Sequence, residues 1–573
     1  MTRRAGGAVL AVALLAGTQL LLAGEPPASI DTGRIDTAFA ADTRTASPGC
    51  AAGIVHAGRL VWSKGYGYAS VEHKVPIDSG TVFDLGSTSK QITAALVALL
   101  VNEGKLSLDD TVGQFAPEMP EPTRRVTLRQ LLNHTSGLRD YTDILSLAGR
   151  READVTTREE ALAAMRRQRG VNFEAGSAYR YCNSGYFLLS VIVEQVRRTR
   201  LRGIAQKTIF APLGMEHTTF FDDHTLMVPH RATGYSWRPG STPSVEMSDW
   251  EQVGDGGVQS SIEDMARWAA LFDDDAPNSP LPAAWLRETL ETPGRLKDGT
   301  TLRYSLGLGL DTYRGLRVIE HGGAWAGYRA MLMRIPDWRV TTLVLCNYAQ
   351  ADTRSLAATL ADAALEAFPP ASSRHGAPRV EPAPPVHARA PLPAAGDVET
   401  YYSLALGEVA TLRRVQGDLA IDEGDRSTPL IQNGKATWTT ADGRVTLRFA
   451  EDRQSLTWAD EGESDPRPAT YRRAPAKVPV SVDRLRKIGG TYQSDEIGPA
   501  WEVTFSGSKG RVAIAGGESF DLEPLDTDLF TSDAGLIAVE RDAHGQPSAL
   551  VVTSRGVVGL RVPRLPAPAA GGR

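Results

Sequence analysis

The final third of the sequence repeats itself, and this repeat restricts the fold more than any other feature of the chain. Three short motifs recur in the same order, at offsets of 91, 93 and 91 residues. Apolar and polar residues alternate around them, with Gly, Asp and Asn at the turns, which is typical of short antiparallel strands. We therefore predict two copies of one small antiparallel all-β, barrel-like domain, 396–476 and 477–573. The matched pairs are Tyr401-x-Ser403-x-x-Leu406-Gly407 with Tyr492-x-Ser494-x-x-Ile497-Gly498, Gly417-x-Leu419-Ala420-Ile421 with Gly510-x-Val512-Ala513-Ile514, and Arg473-x-Pro475 with Arg564-x-Pro566.

The segment 33–368 has a different pattern, because strand signals at both of its ends enclose a mainly helical middle. The simplest arrangement is one antiparallel sheet built from both ends of the segment, with an all-helical insertion, which makes an α/β (α+β) domain. A stretch rich in Pro and Ala, 369–395, follows and predicts an extended linker to the β domains. The predicted strands of the sheet are 50–55, 59–67, 317–321, 330–335 and 340–346.

The first 24 residues have the pattern of an export signal peptide, 1–24. Arg3 and Arg4 precede an apolar run from 8 to 23, which is rich in Ala. The run is too short and too rich in small residues for a transmembrane helix. We expect cleavage near Ala23, no integral membrane span afterwards, and a secreted or periplasmic protein. An uncleaved anchor is the alternative.

Composition excludes several classes of function. Hydrophobic residues make up 42% and charged residues 23% of the 573 residues, as in folded globular domains. The net charge of −6 offers no basic surface for a nucleic acid. The 3 cysteines form no CxxC or Cys/His pattern, so neither a disulfide framework nor a metal site is predicted.

A serine and a lysine three residues apart, Ser87 and Lys90, lie where a loop turns into an apolar helical run. Positions i and i+3 share one face of a helix, so the hydroxyl and the amine can meet. The helix N-terminus favours both loss of a proton from the amine and formation of an oxyanion, which makes Ser87 the candidate nucleophile. The pattern itself is common and recurs at Ser506 and Lys509, where flanking glycines indicate an exposed hairpin tip. A capped helix with Lys90 in solvent is the alternative explanation.

Two later motifs strengthen this hypothesis through their order in the chain. Tyr181 and Asn183 lie in a loop before a helix and offer a phenol and a carboxamide. His321, Gly322 and Gly323 follow at the end of a predicted strand. Each motif alone has a plain structural explanation, a buried aromatic residue in the first case and a glycine hairpin with an incidental histidine in the second. Their order after a Ser-x-x-Lys pattern, within one split-sheet domain, favours a joint role in catalysis.

In this order the motifs resemble those of the penicillin-recognising serine hydrolases, which include class C β-lactamases, D-Ala-D-Ala carboxypeptidases, D-aminopeptidases and related esterases. The resemblance covers about 35–368. No Gly-x-Ser-x-Gly elbow is present in the sequence, which disfavours an α/β-hydrolase. Supporting phrases that also resemble the family are Leu131-Leu132-Asn133-His134-Thr135-Ser136-Gly137-Leu138, Pro212-Leu213-Gly214-Met215 and Gly256-Gly257-Val258-Gln259-Ser260-Ser261.

The resemblance implies a role for each matched residue. Ser87 attacks the substrate carbonyl and forms an acyl-enzyme, while Lys90 and Tyr181 share the general acid–base work. Asn183 binds the amide side of the substrate, and the backbone N–H groups of Ser87 and Ala324 form the oxyanion hole. No cofactor or metal is implied. The expected substrates are small peptides, amides or esters, with β-lactams as candidate acylating ligands.

Two departures from the β-lactamase pattern narrow this expectation. His321 stands where most β-lactamases carry the lysine of Lys-Thr-Gly, and an ordinary pKa of about 6.5 makes histidine a poor fixed cation for a substrate carboxylate. The His-x-Gly motif and the two β domains are similar to D-aminopeptidases, where a loop of the last barrel enters the cleft and selects a free amine. The corresponding hairpin here is 494–498, in which Asp495 or Glu496 pairs with an ammonium group or is simply exposed to solvent.

The first hypothesis is an exported acyl-enzyme hydrolase of small D-amino-acid-containing peptides or amides, of the D-aminopeptidase or D-Ala carboxypeptidase type. A carboxylesterase or a weak β-lactamase on the same scaffold is the alternative among enzymes. An idle penicillin-binding scaffold that holds cell-wall fragments is the alternative among binding proteins. Since the first and last strands adjoin in this fold, Cys50 and Cys346 are expected on neighbouring strands, either as a disulfide or as two buried thiols.

Overall fold

The computed structural model describes most of the chain. The predicted signal peptide, 1–24, and the predicted linker apart from 390–391 lie outside the described residues. Within the described ranges, no helix combines the length and the apolar character needed to cross a membrane. The described residues are 30–42, 47–238, 241–273, 279–368, 390–391, 397–415, 418–423, 426–441, 443–460, 464–476, 478 and 481–566.

One six-stranded antiparallel sheet forms the framework of the first domain, and both ends of the domain contribute to it, which confirms the predicted fold class. The strand order is β3-β4-β5-β6-β1-β2, so that the last strand pairs with the first. Every residue of β6 is buried, as its apolar sequence predicts for a strand in the middle of a sheet. The strands are β1 (Cys50–His56), β2 (Arg59–Tyr66), β3 (Gly309–Tyr313), β4 (Leu316–Trp325), β5 (Tyr328–Ile335) and β6 (Val340–Cys346).

Helices cover both faces of this sheet and make up most of the insertion between β2 and β3. The insertion also contains short strands, which pair in small sheets of two or three strands, so it is not all-helical as predicted. The first and last helices pack together against one face, whereas α11 packs against the other. The helix after the candidate nucleophile, α2, is buried along almost its whole length and lies at the centre of the helical part. The helices are α1 (Thr32–Asp42), α2 (Lys90–Asn102), α3 (Val112–Phe115), α4 (Glu121–Arg124), α5 (Leu128–Leu132), α6 (Tyr141–Leu147), α7 (Arg158–Arg166), α8 (Asn183–Arg197), α9 (Leu201–Ala205), α10 (Ala211–Leu213), α11 (Ile262–Ala270), α12 (Ala283–Glu291) and α13 (Thr353–Ala367).

Two antiparallel barrels of eight strands each follow. In the first barrel, pairing of β10 with β11 closes the sheet. In the second barrel the strands pair in sequence order, and a bridge between Tyr492 and Arg564 nearly closes it. The first barrel contains β7 (Asp397–Ser403), β8 (Glu408–Val415), β9 (Asp418–Glu423), β10 (Arg426–Gln432), β11 (Thr437–Thr440), β12 (Val445–Phe449), β13 (Ser455–Asp460) and β14 (Ala469–Arg473). The second contains β15 (Gly490–Tyr492), β16 (Trp501–Ser506), β17 (Lys509–Ile514), β18 (Ser519–Asp526), β19 (Leu529–Ser532), β20 (Gly535–Arg541), β21 (Pro547–Thr553) and β22 (Leu560–Pro563), preceded by α14 (Val482–Ile488).

The second barrel is fastened to the helical part of the first domain. A loop after β21 enters that part, where the carbonyl of Gly556 accepts a hydrogen bond from the N–H of Asp140 at 2.8 Å. The hydroxyl of Ser554 donates to the carboxylate of Asp143, and the indole of Trp501 donates to the Leu147 carbonyl at 3.0 Å. The barrel therefore supports the segment that precedes α6.

Two sequence features are resolved by the sheet pairings. Cys50 and Cys346 are partners in the β1–β6 register and form a disulfide, so the alternative of two free thiols is discarded. Cys182 is a buried free thiol. The second Ser-x-x-Lys pattern, Ser506 and Lys509, spans the tip of the β16–β17 hairpin, as its glycines predict.

Candidate active site

A tight turn places the candidate nucleophile against the sheet. Gly86 adopts a left-handed conformation, with φ 48°, and begins a short 3-10 helix, Gly86–Ser89, that leads into α2. A β-carbon on Gly86 would lie 2.6 Å from the backbone nitrogen of Ala324, so only glycine permits this approach. On the other side, a β-carbon on Gly323 would lie 1.9 Å from the Leu85 carbonyl oxygen. Two glycines thus bring Ser87 beside strand β4.

The amine of Lys90 occupies the centre of the site. It lies 3.0 Å from the Ser87 hydroxyl and 2.9 Å from the side-chain oxygen of Asn183, and it donates to the backbone carbonyl of Asp255 at 2.6 Å. Lys90 is fully buried. Burial lowers its pKa from 10.5 to about 8, against the opposing attraction of Asp255 and Asp140. An amine with this pKa can give up its proton near neutral pH and act as a base toward Ser87.

The phenol of Tyr181 lies beside this amine, with Nζ of Lys90 4.8 Å from the ring centroid. Its hydroxyl oxygen is buried and has no hydrogen-bond partner among the described residues. Burial raises the pKa of Tyr181 well above 10, partly offset by the nearby Ser87 hydroxyl. The phenol is therefore neutral and can donate a proton, while the stronger candidate for the base is Lys90.

Asn183 is the first residue of α8, and its position is set by a carboxylate at the start of α6. The Asn183 N–H donates to Asp140, which also accepts the N–H of Thr142 at 2.9 Å. One residue earlier, the N–H of Cys182 donates to Nδ1 of His134 at 3.1 Å. The loop that carries Tyr181 and Asn183 is thus held by hydrogen bonds at two consecutive residues, Cys182 and Asn183.

His321 lies on β4 and is buried. Its Nε2 lies 3.1 Å from the Tyr304 hydroxyl, and its Nδ1 lies 2.6 Å from the carbonyl oxygen of Gly322. Burial and the charge of Lys90 lower the pKa of His321 to about 4. His321 is consequently uncharged at neutral pH and provides no cation for a substrate carboxylate.

A cavity of about 260 Å³ opens beside the Ser87 hydroxyl. We call it the acidic cavity, because it has carboxylate side chains and, among the described residues that line it, no Lys, Arg or His. Both residues of the expected oxyanion hole, Ser87 and Ala324, border it, but Gly322, Gly323 and His321 do not. Its lining is Asp84, Gly86, Ser87, Tyr141, Glu152, Asn183, Phe221, Ser248, Trp250, Gln252, Asp255, Gly256, Gly257, Ala324 and Trp325.

Two buried acceptor atoms of the acidic cavity are unused within the described structure. Asp255 accepts a hydrogen bond from the Tyr141 hydroxyl at 2.9 Å through one oxygen, while its other oxygen has no partner. Gln252 donates to two backbone carbonyls, but its side-chain oxygen has no partner. Glu152 adds an exposed carboxylate to the lining. Unsatisfied acceptors of this kind favour a ligand group that donates hydrogen bonds and carries positive charge.

The structure does not bring Asp495 and Glu496 to the acidic cavity. Glu496 accepts from the guanidinium of Arg139 at 2.7 Å and from the N–H of Arg169 at 2.8 Å. Asp495 pairs with Arg169 on the surface at 3.0 Å. Both carboxylates are already paired between the second barrel and the catalytic domain, so this placement gives no support to amine selection by the hairpin.

The residues of the site that were not predicted include His134, Glu152, Asp255 and Tyr304. His134 belongs to a sequence phrase that resembles the family. That resemblance indicated that the residue matters but did not indicate what it does. Asp255 precedes another such phrase. Glu152 and Tyr304 lie in segments without a motif, and only the fold brings them to the site.

The fold and the site together define a scaffold of the β-lactamase and transpeptidase class, with a serine and a buried lysine at its centre. The chain belongs to the Beta-lactamase family, whose model matches residues 35–366. A D-aminopeptidase from Cereibacter sphaeroides is 33% identical over 330 residues, which is 57% of this chain and 62% of that protein. This chain thus matches about three fifths of the length of that relative.

A second relative extends the likeness into the barrels. A D-aminopeptidase from Brucella melitensis is 25% identical over 544 residues, covering 89% of this chain and 95% of that protein. Among solved structures, the octameric penicillin-binding protein homologue from Pyrococcus abyssi covers 77% of this chain with a TM-score of 0.54 and 21% identity, over 100% of its own chain. At that identity the structural likeness concerns the fold alone.

Proposed function

We propose that the protein is an exported serine hydrolase that cleaves amide bonds of small D-amino-acid derivatives with a free amine, as the name of its D-aminopeptidase relatives suggests. The observation that carries the proposal is the contact of 3.0 Å between the Ser87 hydroxyl and a buried lysine amine. The disulfide between Cys50 and Cys346 supports an oxidising, extracytoplasmic location.

In the proposed reaction, neutral Lys90 takes the proton of the Ser87 hydroxyl, and the serine oxygen attacks the substrate carbonyl. The backbone N–H groups of Ser87 and Ala324 stabilise the oxyanion, each worth roughly 2.7–4 kcal/mol in comparable enzymes. Tyr181 delivers a proton to the leaving nitrogen and regains one from charged Lys90. The C–N bond breaks and the amine departs. Lys90 then deprotonates a water, the water oxygen attacks the ester carbonyl, and the Ser87 oxygen takes the proton back from Lys90 as the acid leaves.

The charges around the site favour a substrate that carries a positively charged amine. They disfavour a substrate that carries a carboxylate close to the reacting bond. His321 is uncharged, and the acidic cavity offers Glu152 together with the unused oxygens of Asp255 and Gln252. Penicillins carry a carboxylate, so we expect them to acylate Ser87 slowly. We expect the same charge pattern to disfavour D-Ala carboxypeptidase activity.

The test is hydrolysis of D-Ala-p-nitroanilide, compared with the L-isomer and with the N-acetylated D-substrate. We expect cleavage of D-Ala-p-nitroanilide only, and no cleavage of any of the three substrates by the Ser87→Ala variant. Cleavage of p-nitrophenyl esters without any cleavage of the anilide would contradict the peptidase and favour a carboxylesterase. Absence of both reactions would favour the idle binding scaffold.

Glu152 offers a separate test of amine binding. Removing its charge in Glu152→Gln should raise KM for D-Ala-p-nitroanilide roughly tenfold, as expected for loss of one charge-assisted hydrogen bond. Hydrolysis of an uncharged ester should not change. Glu174→Gln is the matched control, because Glu174 is an exposed carboxylate paired with Lys297 and lies outside the lining of the cavity. An equal rise of KM in both variants would contradict the assignment.

A further inference from the structure

Four hydrogen bonds run beneath the active site and join the loop of Tyr181 to strand β4. The N–H of Cys182 donates to Nδ1 of His134 at 3.1 Å, and Nε2 of His134 lies 3.1 Å from the Tyr304 hydroxyl. The same hydroxyl lies 3.1 Å from Nε2 of His321, whose Nδ1 lies 2.6 Å from the Gly322 carbonyl oxygen. His134 and Tyr304 have almost no contact with solvent.

The two ends of this chain determine the position of every proton in it. A backbone N–H can only donate, so Nδ1 of His134 must accept, and a neutral His134 carries its proton on Nε2. A carbonyl oxygen can only accept, so Nδ1 of His321 must donate, which leaves Nε2 as the acceptor. Tyr304 therefore accepts from His134 and donates to His321. With both imidazoles uncharged, these four bonds can all be satisfied in this direction only.

Both imidazoles must be uncharged for this order to hold, and their surroundings favour that state. The pKa of His134 is lowered well below 6.5 by burial and by the charge of Lys90. The titratable groups that face His321 are Lys90, Tyr181, His134 and Tyr304. A proton added at Nε2 of His321 would remove the acceptor for the Tyr304 hydroxyl hydrogen and break the order.

We propose that Tyr304 and His134 are positioning residues, which hold His321 in its uncharged Nδ1–H form and fix the Tyr181 loop relative to strand β4. Among the described residues near Ser87, Lys90 is then the one side chain that must lose a proton before it can act as the base. A hydrogen bond donated to the neutral imidazole disfavours its protonation, so removal of the Tyr304 hydroxyl makes His321 easier to charge.

The first test is spectroscopic and independent of any substrate. Two-bond ¹H–¹⁵N spectra of the full chain labelled with ¹⁵N-histidine report which ring nitrogen carries the proton, and His134→Gln and His321→Gln assign the signals. We expect the proton on Nε2 of His134 and on Nδ1 of His321 throughout the range from about pH 5.5 to 8. The opposite tautomer on either residue, or a charged His321 at neutral pH, would overturn the proposal whether or not the protein is a hydrolase.

The second test is kinetic and rests on the proposed function. In Tyr304→Phe we expect His321 to titrate at higher pH, so that two protons must leave the site and the acid limb of log kcat/KM becomes steeper than in the wild type. The loss of kcat/KM should be about threefold greater at pH 4.5 than at pH 8.5, as an upward shift of about one pKa unit from about 4 implies. A loss of equal size at all pH values would indicate a structural role only and would contradict the proposal.

Tyr313→Phe is the matched control for this experiment. Tyr313 is the last residue of strand β3, and its hydroxyl donates to Asp362 of α13 at 2.9 Å. Neither residue lines the acidic cavity. Its removal deletes a tyrosine hydrogen bond but should leave the slope of the acid limb unchanged. A circular-dichroism melting curve for each variant separates folding from catalysis.

Discussion

The amine of Lys90 and the hydroxyl of Ser87 are 3.0 Å apart at the start of one buried helix. Because the lysine has no access to solvent, its charge depends on burial and on the groups around it, which include two carboxylates, one carboxamide and one backbone carbonyl. This pair determines how the activity should vary with pH.

We predict that kcat/KM rises with pH as Lys90 loses its proton. Its pKa of about 8 lies below the ordinary 10.5, and the uncharged amine is the form that can accept a proton. About one tenth of the molecules have neutral Lys90 at pH 7, so activity should be half-maximal near pH 8 and level off above about pH 9. The measurement is a pH–rate profile for an uncharged ester. A flat profile from about pH 6.5 to 9 would exclude Lys90 as the base.

Arg139 and Glu496 form a buried ion pair between the catalytic domain and the second barrel, with 6% and 14% of their side chains exposed. Glu496→Gln leaves a buried guanidinium without its counter-ion, and we predict a loss of about 3 kcal/mol in the free energy of unfolding. The matched variant is Asp495→Asn, whose pair with Arg169 has 83% and 74% of the two side chains exposed and should contribute under about 1 kcal/mol. Urea titration measures both.

The same pair of variants tests the role of the hairpin in substrate choice. We expect neither Glu496→Gln nor Asp495→Asn to change the preference for a free amine over an acetylated one. If either variant abolished that preference, the hairpin and not the acidic cavity would select the amine.

Much of the fold was predictable because local patterns carry it. Hydrophobic periodicity predicts the strands and the split sheet, and the recurring motifs predict the two β domains. The order of Ser87, Tyr181 and His321 indicated one shared site. The charge of His321 was not predictable, since it depends on burial in the folded domain and on the charge of Lys90, which comes from another segment. A role in amine selection was assigned to the hairpin of Glu496 only because the order of the domains is similar to that of D-aminopeptidases. The ion-pair partner of Glu496, Arg139, lies 357 residues away in the chain.

The loop of the second barrel next to the active site gives a further prediction. A β-carbon on Gly556 would lie 2.5 Å from Cβ of Asp140, the residue that holds the N–H of Asn183. Gly556→Ala should displace this loop, cost about 1–3 kcal/mol in stability, and lower kcat/KM roughly tenfold or more.

Gly434→Ala is the control for that variant, because a β-carbon there would meet only ordinary contacts of 3.8 Å or more in the first barrel. Its kcat/KM should match that of the wild type. Normal activity of Gly556→Ala would mean that the second barrel does not support the catalytic loop.

The disulfide between Cys50 and Cys346 predicts the stability and the thiol content of the purified protein. It closes a loop with a sequence separation of 296 residues, so we expect the double variant Cys50→Ala, Cys346→Ala to lose about 2–5 kcal/mol of stability. Thiol titration in denaturant without reductant should find one thiol per chain, that of Cys182. Three titratable thiols in protein purified from an oxidising compartment would contradict the pairing.

The most direct test of the account is the intact mass of the protein after incubation with a fluorophosphonate, followed by peptide mapping. We predict a single covalent adduct on Ser87 in the wild type and none in Ser87→Ala, with Ser506 unmodified in both. An unmodified wild-type protein that is folded by circular dichroism, or an adduct on another serine, would contradict a nucleophilic Ser87.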